Sequence, residues 1–261
     1  MIDIGVNLTN SRFDKDLPIV LEQAKQAGLS SLIVTGTKIF ESEQALTLSK
    51  LHPSFLYCTA GIHPHDASSM DQQAIIKLRE LLTQPEVKAV GECGLDFNRN
   101  YSTPLEQEKA FITQLELAVE FELPVFMHER DASSKFIELV SPYIRQLPNA
   151  VVHCFTGTQA ELEQYLALDL HIGITGWICD ERRGQHLLDI VNMIPDDRLM
   201  IETDSPYLLP RSMRPKPKSS RNEPKYLPYI AKTIAEARQQ DLQSLIMNTQ
   251  KTSNAFFNLT A

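Results

Sequence analysis

At 261 residues the chain exceeds the common domain size, but α/β barrels of about this length fold around one large core, so no second domain is required. A hydrophobic fraction of 43%, a charged fraction of 22% and only 10 glycines and 15 prolines exclude a collagenous or low-complexity polymer. The formal charge of -8 excludes wholesale coating of a nucleic acid or membrane, so a polyanionic partner has to be gripped locally.

The chain opens MIDIGVNLTNSRF, without the basic and then apolar regions of a secretory signal, and no later window approaches a membrane span. Strand-like apolar runs follow in order at 2–6, 31–35, 56–62, 87–92, 124–128, 150–154, 170–175 and 199–204, each trailed by a segment with helical spacing. The start of one helix is clear: Thr103 is a cap, Pro104 suits the first turn and Glu106 completes a capping box. After the eighth strand, LLPRSMRPKPKSSRNEPKYLP is too proline-broken for regular structure, and a helical terminus is predicted over 229–257. Strand-then-helix alternation predicts a parallel sheet, and eight units predict a single (β/α)8 TIM barrel over 1–261. A doubly wound sheet is the rival, but no glycine-rich phosphate loop follows any strand. The four cysteines, Cys58, Cys93, Cys154 and Cys179, show no C-x-x-C spacing, which fits reduced thiols in the cytoplasm.

In such a barrel the reacting groups converge from the C-terminal ends of the strands. Strand four ends in VGECGLD with Glu92, strand five in VFMHERD with His128, strand six in VVHCFTG with His153 and strand eight in MIETDSPY with Asp204. Any one of these has an ordinary structural explanation. Together they describe a divalent-metal cage, because four ionisable groups ending apolar strands need a shared compensation for their desolvation. Residues two apart share a face, so Glu202 accompanies Asp204, Arg130 accompanies His128, and His63 and His65 stand together. Glu202 is a partner for Arg130 or for a metal-bound water. The same alternation turns Cys93 and Cys154 toward the helix layer. Trp177 is either a base-stacking residue or a cover for the barrel mouth, and Arg182 and Arg183 are solvated charges or anion contacts. Between Arg211 and Lys225, six basic side chains (Arg211, Arg214, Lys216, Lys218, Arg221, Lys225) face only Glu223. Hanging from the proposed metal rim, this run suits the phosphates of an extended substrate, with Arg130, Arg211 and Arg221 as candidate contacts.

Assembled in order, GIHPHD, VGECGLDFNRN, PVFMHERDA, VVHCFTGT, HIGITGWICDERRG and LMIETDSPYLLPRSMRPKPKSSRNEP resemble the TatD family of metal-dependent deoxyribonucleases over the whole chain. The resemblance implies an amidohydrolase-like TIM barrel and a magnesium-dependent 3′-5′ exonuclease acting on the 3′ ends of single-stranded DNA or RNA, with a role in DNA repair. It also implies that Glu92, His128 and His153 are metal ligands, Asp204 the catalytic aspartate, and His63 an active-site histidine near the scissile phosphate. The first strand departs from the superfamily's H-x-H pair, with Gly5 and Asn7 at those positions. One site is then left to Glu92, Asp204 and either Asn7 or water, an oxygen-rich set that suits Mg2+ over Mn2+ or Zn2+, and leaves one or two ions open. On this reading a bound water attacks a phosphodiester, Asp204 orients or deprotonates it, His63 binds the phosphate or protonates the leaving oxygen, and Glu202 positions a second ion. No membrane or obligate protein partner is predicted. A small-molecule amidohydrolase using the same cage is the enzymatic alternative, disfavoured by the basic run. A non-catalytic scaffold barrel is the third, motivated by the missing imidazole pair.

Overall fold

The computed structural model describes residues 1–259. Eight parallel strands run in sequence order: β1 (Ile2–Val6), β2 (Ser31–Val34), β3 (Leu56–Ala60), β4 (Val87–Asp96), β5 (Val125–Arg130), β6 (Ala150–Val152), β7 (His171–Ile174) and β8 (Leu199–Ile201). Helices α1 (Leu17–Gln26), α2 (Ile39–Leu51), α3 (Gln72–Leu82), α4 (Pro104–Phe121), α5 (Ser133–Val140), α6 (Gln159–Ala167), α7 (Gln185–Ile190) and α8 (Leu227–Ala237) follow their strands, and α9 (Leu242–Phe256) ends the chain. The eighth strand closes on the first through a parallel bridge between Val6 and Ser205, with Asp204 N–H donating to Gly5 O at 2.9 Å. Fully buried Asp3 reinforces this seam by accepting from Thr203 N–H at 2.8 Å and Thr203 Oγ1 at 2.6 Å. This is the predicted TIM barrel.

Strand periodicity explains how the barrel is filled. Ile33, Tyr57, Ala89, Phe126, Val151 and Met200 form the inner cluster with Ile2 and Ile4. Their neighbours Leu32, Val34, Leu56, Cys58, Val90, Val125, Met127, Val152, Leu199 and Ile201 pack outward in the larger core shared with the helices. Phe256 and Phe257 from the end of α9 plug the bottom of the inner cluster. One step of two residues up the chain lifts Phe126 to His128, Val151 to His153 and Met200 to Glu202, so a polar layer sits directly on the apolar one.

Several boundaries differ from expectation, those near the site most usefully. Strand β4 runs past Glu92 to Asp96, and its pairing with β5 shifts register between Val90 and Cys93. That shift lets both Ala89 and Glu92 face the barrel interior while Val90 and Cys93 face outward. Strands β6 and β8 stop at Val152 and Ile201, so His153, Glu202 and Asp204 stand just beyond the ladder. The helical terminus is two helices, broken between Ala237 and Leu242, where Asp241 caps α9 through Ser244 N–H. The helix at Thr103 has the predicted capping box.

At the bottom, His171 opens β7 edge-to-face on Phe256, with ring centroids 5.0 Å apart. Burial, helped by the Arg198 charge, holds its pKa down to about 4. The unfolded histidine titrates near pH 6.5, so between these values the unfolded chain binds the extra proton and stability falls as pH drops. His171→Gln is expected to shrink the loss of unfolding free energy between about pH 7.5 and about pH 4.5 by about 2 kcal/mol. Urea unfolding of both proteins at both pH values measures this, and an unaltered pH dependence contradicts it.

Candidate active site

One atom organises the rim. Glu92 Oε1 faces three imidazoles delivered by three strands: His153 Nε2 at 2.8 Å, His63 Nε2 at 3.2 Å and His128 Nδ1 at 3.3 Å. Glu92 and His153 are almost wholly buried, and the His63 and His128 side chains are mostly so. Burial alone would raise the Glu92 pKa, but the surrounding imidazoles outweigh it and hold the carboxyl well below the usual range. His153 shows the reciprocal effect. Burial opposes its charge, yet the carboxylates of Glu92 and Glu202 drive its pKa well above the ordinary value.

Two of the imidazoles are fixed from behind. His153 Nδ1 lies 3.3 Å from Glu202 Oε2, and its ring stacks on Phe126 at 4.4 Å between centroids. Glu202 is completely buried, and its other oxygen accepts from Cys154 N–H at 2.5 Å. Its carboxylate lies against two glycines: a Cβ on Gly5 would stand 2.3 Å from Oε2, and one on Gly173 2.7 Å from Oε1. Gly5 thus makes room for a carboxylate arriving from β8. His63 Nδ1 accepts from His65 N–H at 3.0 Å, which places the ring proton on Nε2. His65 Nε2 is 2.7 Å and His128 Nε2 3.5 Å from Asp96 Oδ2. Asp96 Oδ1 accepts from Asn98 and Arg99 N–H. Although burial works against it, these imidazole and backbone bonds hold the Asp96 carboxyl well below its usual range.

Asp204 completes the layer. Its Oδ1 accepts from Asn7 Nδ2 at 2.9 Å, and burial, with the charges of Glu92 and Glu202 adding, pushes its pKa up to about 7. Both Asp204 (φ 53°) and Cys154 (φ 47°) occupy the left-handed region. Extended alternation would point Cys154 toward the helices; this backbone turn instead brings it to line the cavity mouth, in contrast to the expectation for it. Cys93 stays in the outer core.

Donor atoms of His63, Glu92 and His128 lie within 4.8 Å of one another, a spacing suited to a divalent cation, and His153 joins them through Glu92. The residues fit such an ion on two counts. Three imidazole nitrogens crowd one carboxylate oxygen that cannot accept equally from all of them, and His128 Nε2 is buried without a hydrogen bond among the described residues.

The remaining predicted residues divide. Glu202 pairs with His153 and Cys154, not with Arg130. Arg130 is exposed at the end of β5 and borders a cavity beside the site. Arg211 is 3.9 Å from Asp180. Arg221 sits away from both cavities at the rim, held bidentately by Asp16 at 2.8 and 2.7 Å, by Glu223 at 3.1 Å, and over the Phe13 ring. Asn7 uses its amide nitrogen to hold Asp204. Asp96 joins the site without an expectation for it, and the signal in the sequence is its position four residues after Glu92 in an extended run, which gives it the same face.

A family model described as TatD related DNase matches residues 2–258. The 3′-5′ ssDNA/RNA exonuclease TatD of Edwardsiella piscicida is 54% identical over 259 residues, covering 99% of this chain and 100% of that protein. Among solved structures, a TatD family hydrolase from Entamoeba histolytica superposes with a TM-score of 0.88 at 27% identity, covering 100% of this chain and 98% of that one. The TatD homologue YjjV from Escherichia coli does so at 0.89 and 26%, with the same coverage.

Glu202→Gln keeps the volume but sets an amide against His153 Nδ1. It is expected to weaken divalent-cation binding about 10- to 100-fold in calorimetry while leaving the unfolding midpoint near that of the parent. Unchanged affinity would remove Glu202 from the support of His153.

Proposed function

Because the chain belongs to the TatD-related DNase family, we propose that it is a metal-dependent 3′-5′ exonuclease that shortens single-stranded DNA or RNA, working as one hydrolase domain over 1–261. The carrying observation is the convergence of His63, His128 and His153 on Glu92, with Asp204 beside them, at the open end of a closed barrel. Glu92, His128 and His153 would hold the ion, and when bound it supplies Lewis acidity and a water of lowered pKa. Mg2+ is the ion we assign, since Glu92 and Asp204 offer anionic oxygen and the open cavity leaves the other positions to water. The imidazoles would also accept Mn2+ or Zn2+, and the reading takes one or two ions.

The chain's own groups then divide the proton traffic. Asp204, oriented through Oδ1 by Asn7, keeps its second oxygen for the attacking water and accepts that water's proton. His63 presents its Nε2 proton toward the reacting region, to bind the phosphate or to protonate the departing oxygen. Glu202 acts through His153, holding the ring in the tautomer that leaves Nε2 for the ion. Arg130 and Arg211 lie where an extended polyanion would pass; Arg221, tied to Asp16, braces the loop instead. Among the described residues no helix is long and apolar enough to cross a membrane, and all four cysteines are free. The free thiols support a cytoplasmic setting, where trimming of single-stranded ends serves DNA repair.

Asp204→Asn is expected to lower turnover of a 3′-labelled single strand by about 100-fold or more while the strand still binds in an anisotropy titration. With the unaltered chain, loss of nucleotides should proceed stepwise from the 3′ end with Mg2+ and stop with EDTA. Turnover by the variant at the parental rate would refute the role of Asp204, and digestion in EDTA would refute the metal dependence.

A further inference from the structure

Two cavities meet at the reacting groups, sharing His128, Cys154 and Asp204, and they differ in the cations they leave unpaired. The first, of about 390 Å³, is bordered by Asn10, Lys38, Glu41, Asp66 and Tyr207. Its single ammonium, Lys38, is paired with Glu41 at 3.3 Å, and Asn10 Nδ2 donates to Tyr207 Oη at 3.1 Å. The surface there is rich in hydrogen-bonding groups and carries no cation in excess over Glu41 and Asp66.

The second cavity, of about 400 Å³, is bordered by Arg130, Trp177, Arg183 and His186. Three carboxylates also line it, each turned to a local neutral donor and none to Arg130: Glu129 to Ala132 N–H and Tyr165 Oη, Asp131 to Asn98, and Glu161 to Thr158. Arg130 makes no side-chain hydrogen bond or ion pair among the described residues. Trp177 is held in place, its indole N–H donating to Arg183 O at 3.2 Å and its ring lying 4.1 Å from the Arg183 guanidinium. Asp180 bonds Arg183 at 3.1 Å and lies 3.9 Å from Arg211, so the wall of this cavity continues into the basic loop with Lys216 and Lys218.

A strand ending in a 3′-hydroxyl has no phosphate beyond its last nucleotide, whereas every nucleotide on the 5′ side brings one. The unpaired guanidinium of Arg130, against the paired ammonium of Lys38, therefore gives the substrate a direction. We propose that the second cavity is the subsite for the penultimate nucleotide, with its base stacked on the Trp177–Arg183 platform and its phosphate against Arg130, while the terminal nucleoside occupies the first cavity. The strand then leaves over Asp180 toward the Arg211 loop. This rests on the exonuclease reading and adds to it which wall reads which nucleotide.

Trp177 is the only tryptophan in the chain, so its fluorescence reports on this subsite alone. The probe is a deoxydecamer with a non-hydrolysable terminal linkage, in three forms: intact, abasic at the penultimate position, and abasic at the terminal position. The intact and terminal-abasic strands are expected to quench Trp177. The penultimate-abasic strand should bind about tenfold more weakly and leave the emission unquenched. With cleavable strands, Trp177→Ala should raise KM about tenfold for the intact decamer and lose its sensitivity to the penultimate abasic site, and Trp177→Phe should restore most of both. Quenching that follows the terminal base, tight binding without any change in emission, or a Trp177→Ala enzyme still sensitive to the penultimate base would each overturn the assignment. If the unaltered enzyme shortens no strand at all, the exonuclease reading itself fails. If it shortens strands with no dependence on the penultimate base, only the subsite fails.

Discussion

A buried carboxylate surrounded by imidazoles is the constraint from which the rest of the rim follows. Glu92 has been taken from water into a site where an unpaired charge would be prohibitively costly, and the compensation comes from His63, His128 and His153 at the C-terminal ends of three separate strands. Each of those rings has a second nitrogen to satisfy. That need recruits Glu202 behind His153 and the His65 backbone behind His63, while His128 Nε2, 3.5 Å from Asp96, is left without a hydrogen bond among the described residues. The outer groups are held in turn by backbone N–H donors at Cys154, Asn98 and Arg99. Such a network leaves little freedom for the rings, which is the condition for binding an ion without reorganisation.

The barrel supplies the precision. An apolar layer containing Phe126, Val151 and Met200 lies two residues below His128, His153 and Glu202, so packing of the former fixes the height and direction of the latter. Gly5 and Gly173 allow the Glu202 carboxylate to enter this layer from β8.

The fold was legible in the sequence because strand-then-helix alternation over eight units has few other solutions, and the Thr103 capping box marks its helix by local chemistry alone. The meeting of Glu92, His128, His153 and Asp204 at one rim was legible for a related reason: each ends an apolar run, and the topology sends all such ends to one place. What escaped was set by tertiary structure. The register shift between Val90 and Cys93, which puts Ala89 and Glu92 on one face, has no local pattern to announce it. The left-handed backbone at Cys154 reverses the face that alternation assigns. Arg221 looked like a phosphate contact because Asp16, its partner, is distant in sequence. The pairing of Glu202 with His153 likewise joins residues from different strands, which spacing along one strand does not reveal.

The central claim is that the imidazoles gathered around Glu92 form a cation site. Anomalous diffraction from crystals soaked in Mn2+ tests this most directly. The account requires a strong peak within bonding distance of the Glu92 carboxylate and of His128, with the ring of His153 still resting on Glu202. A map with no peak there, and the three imidazoles still packed against Glu92, would contradict it.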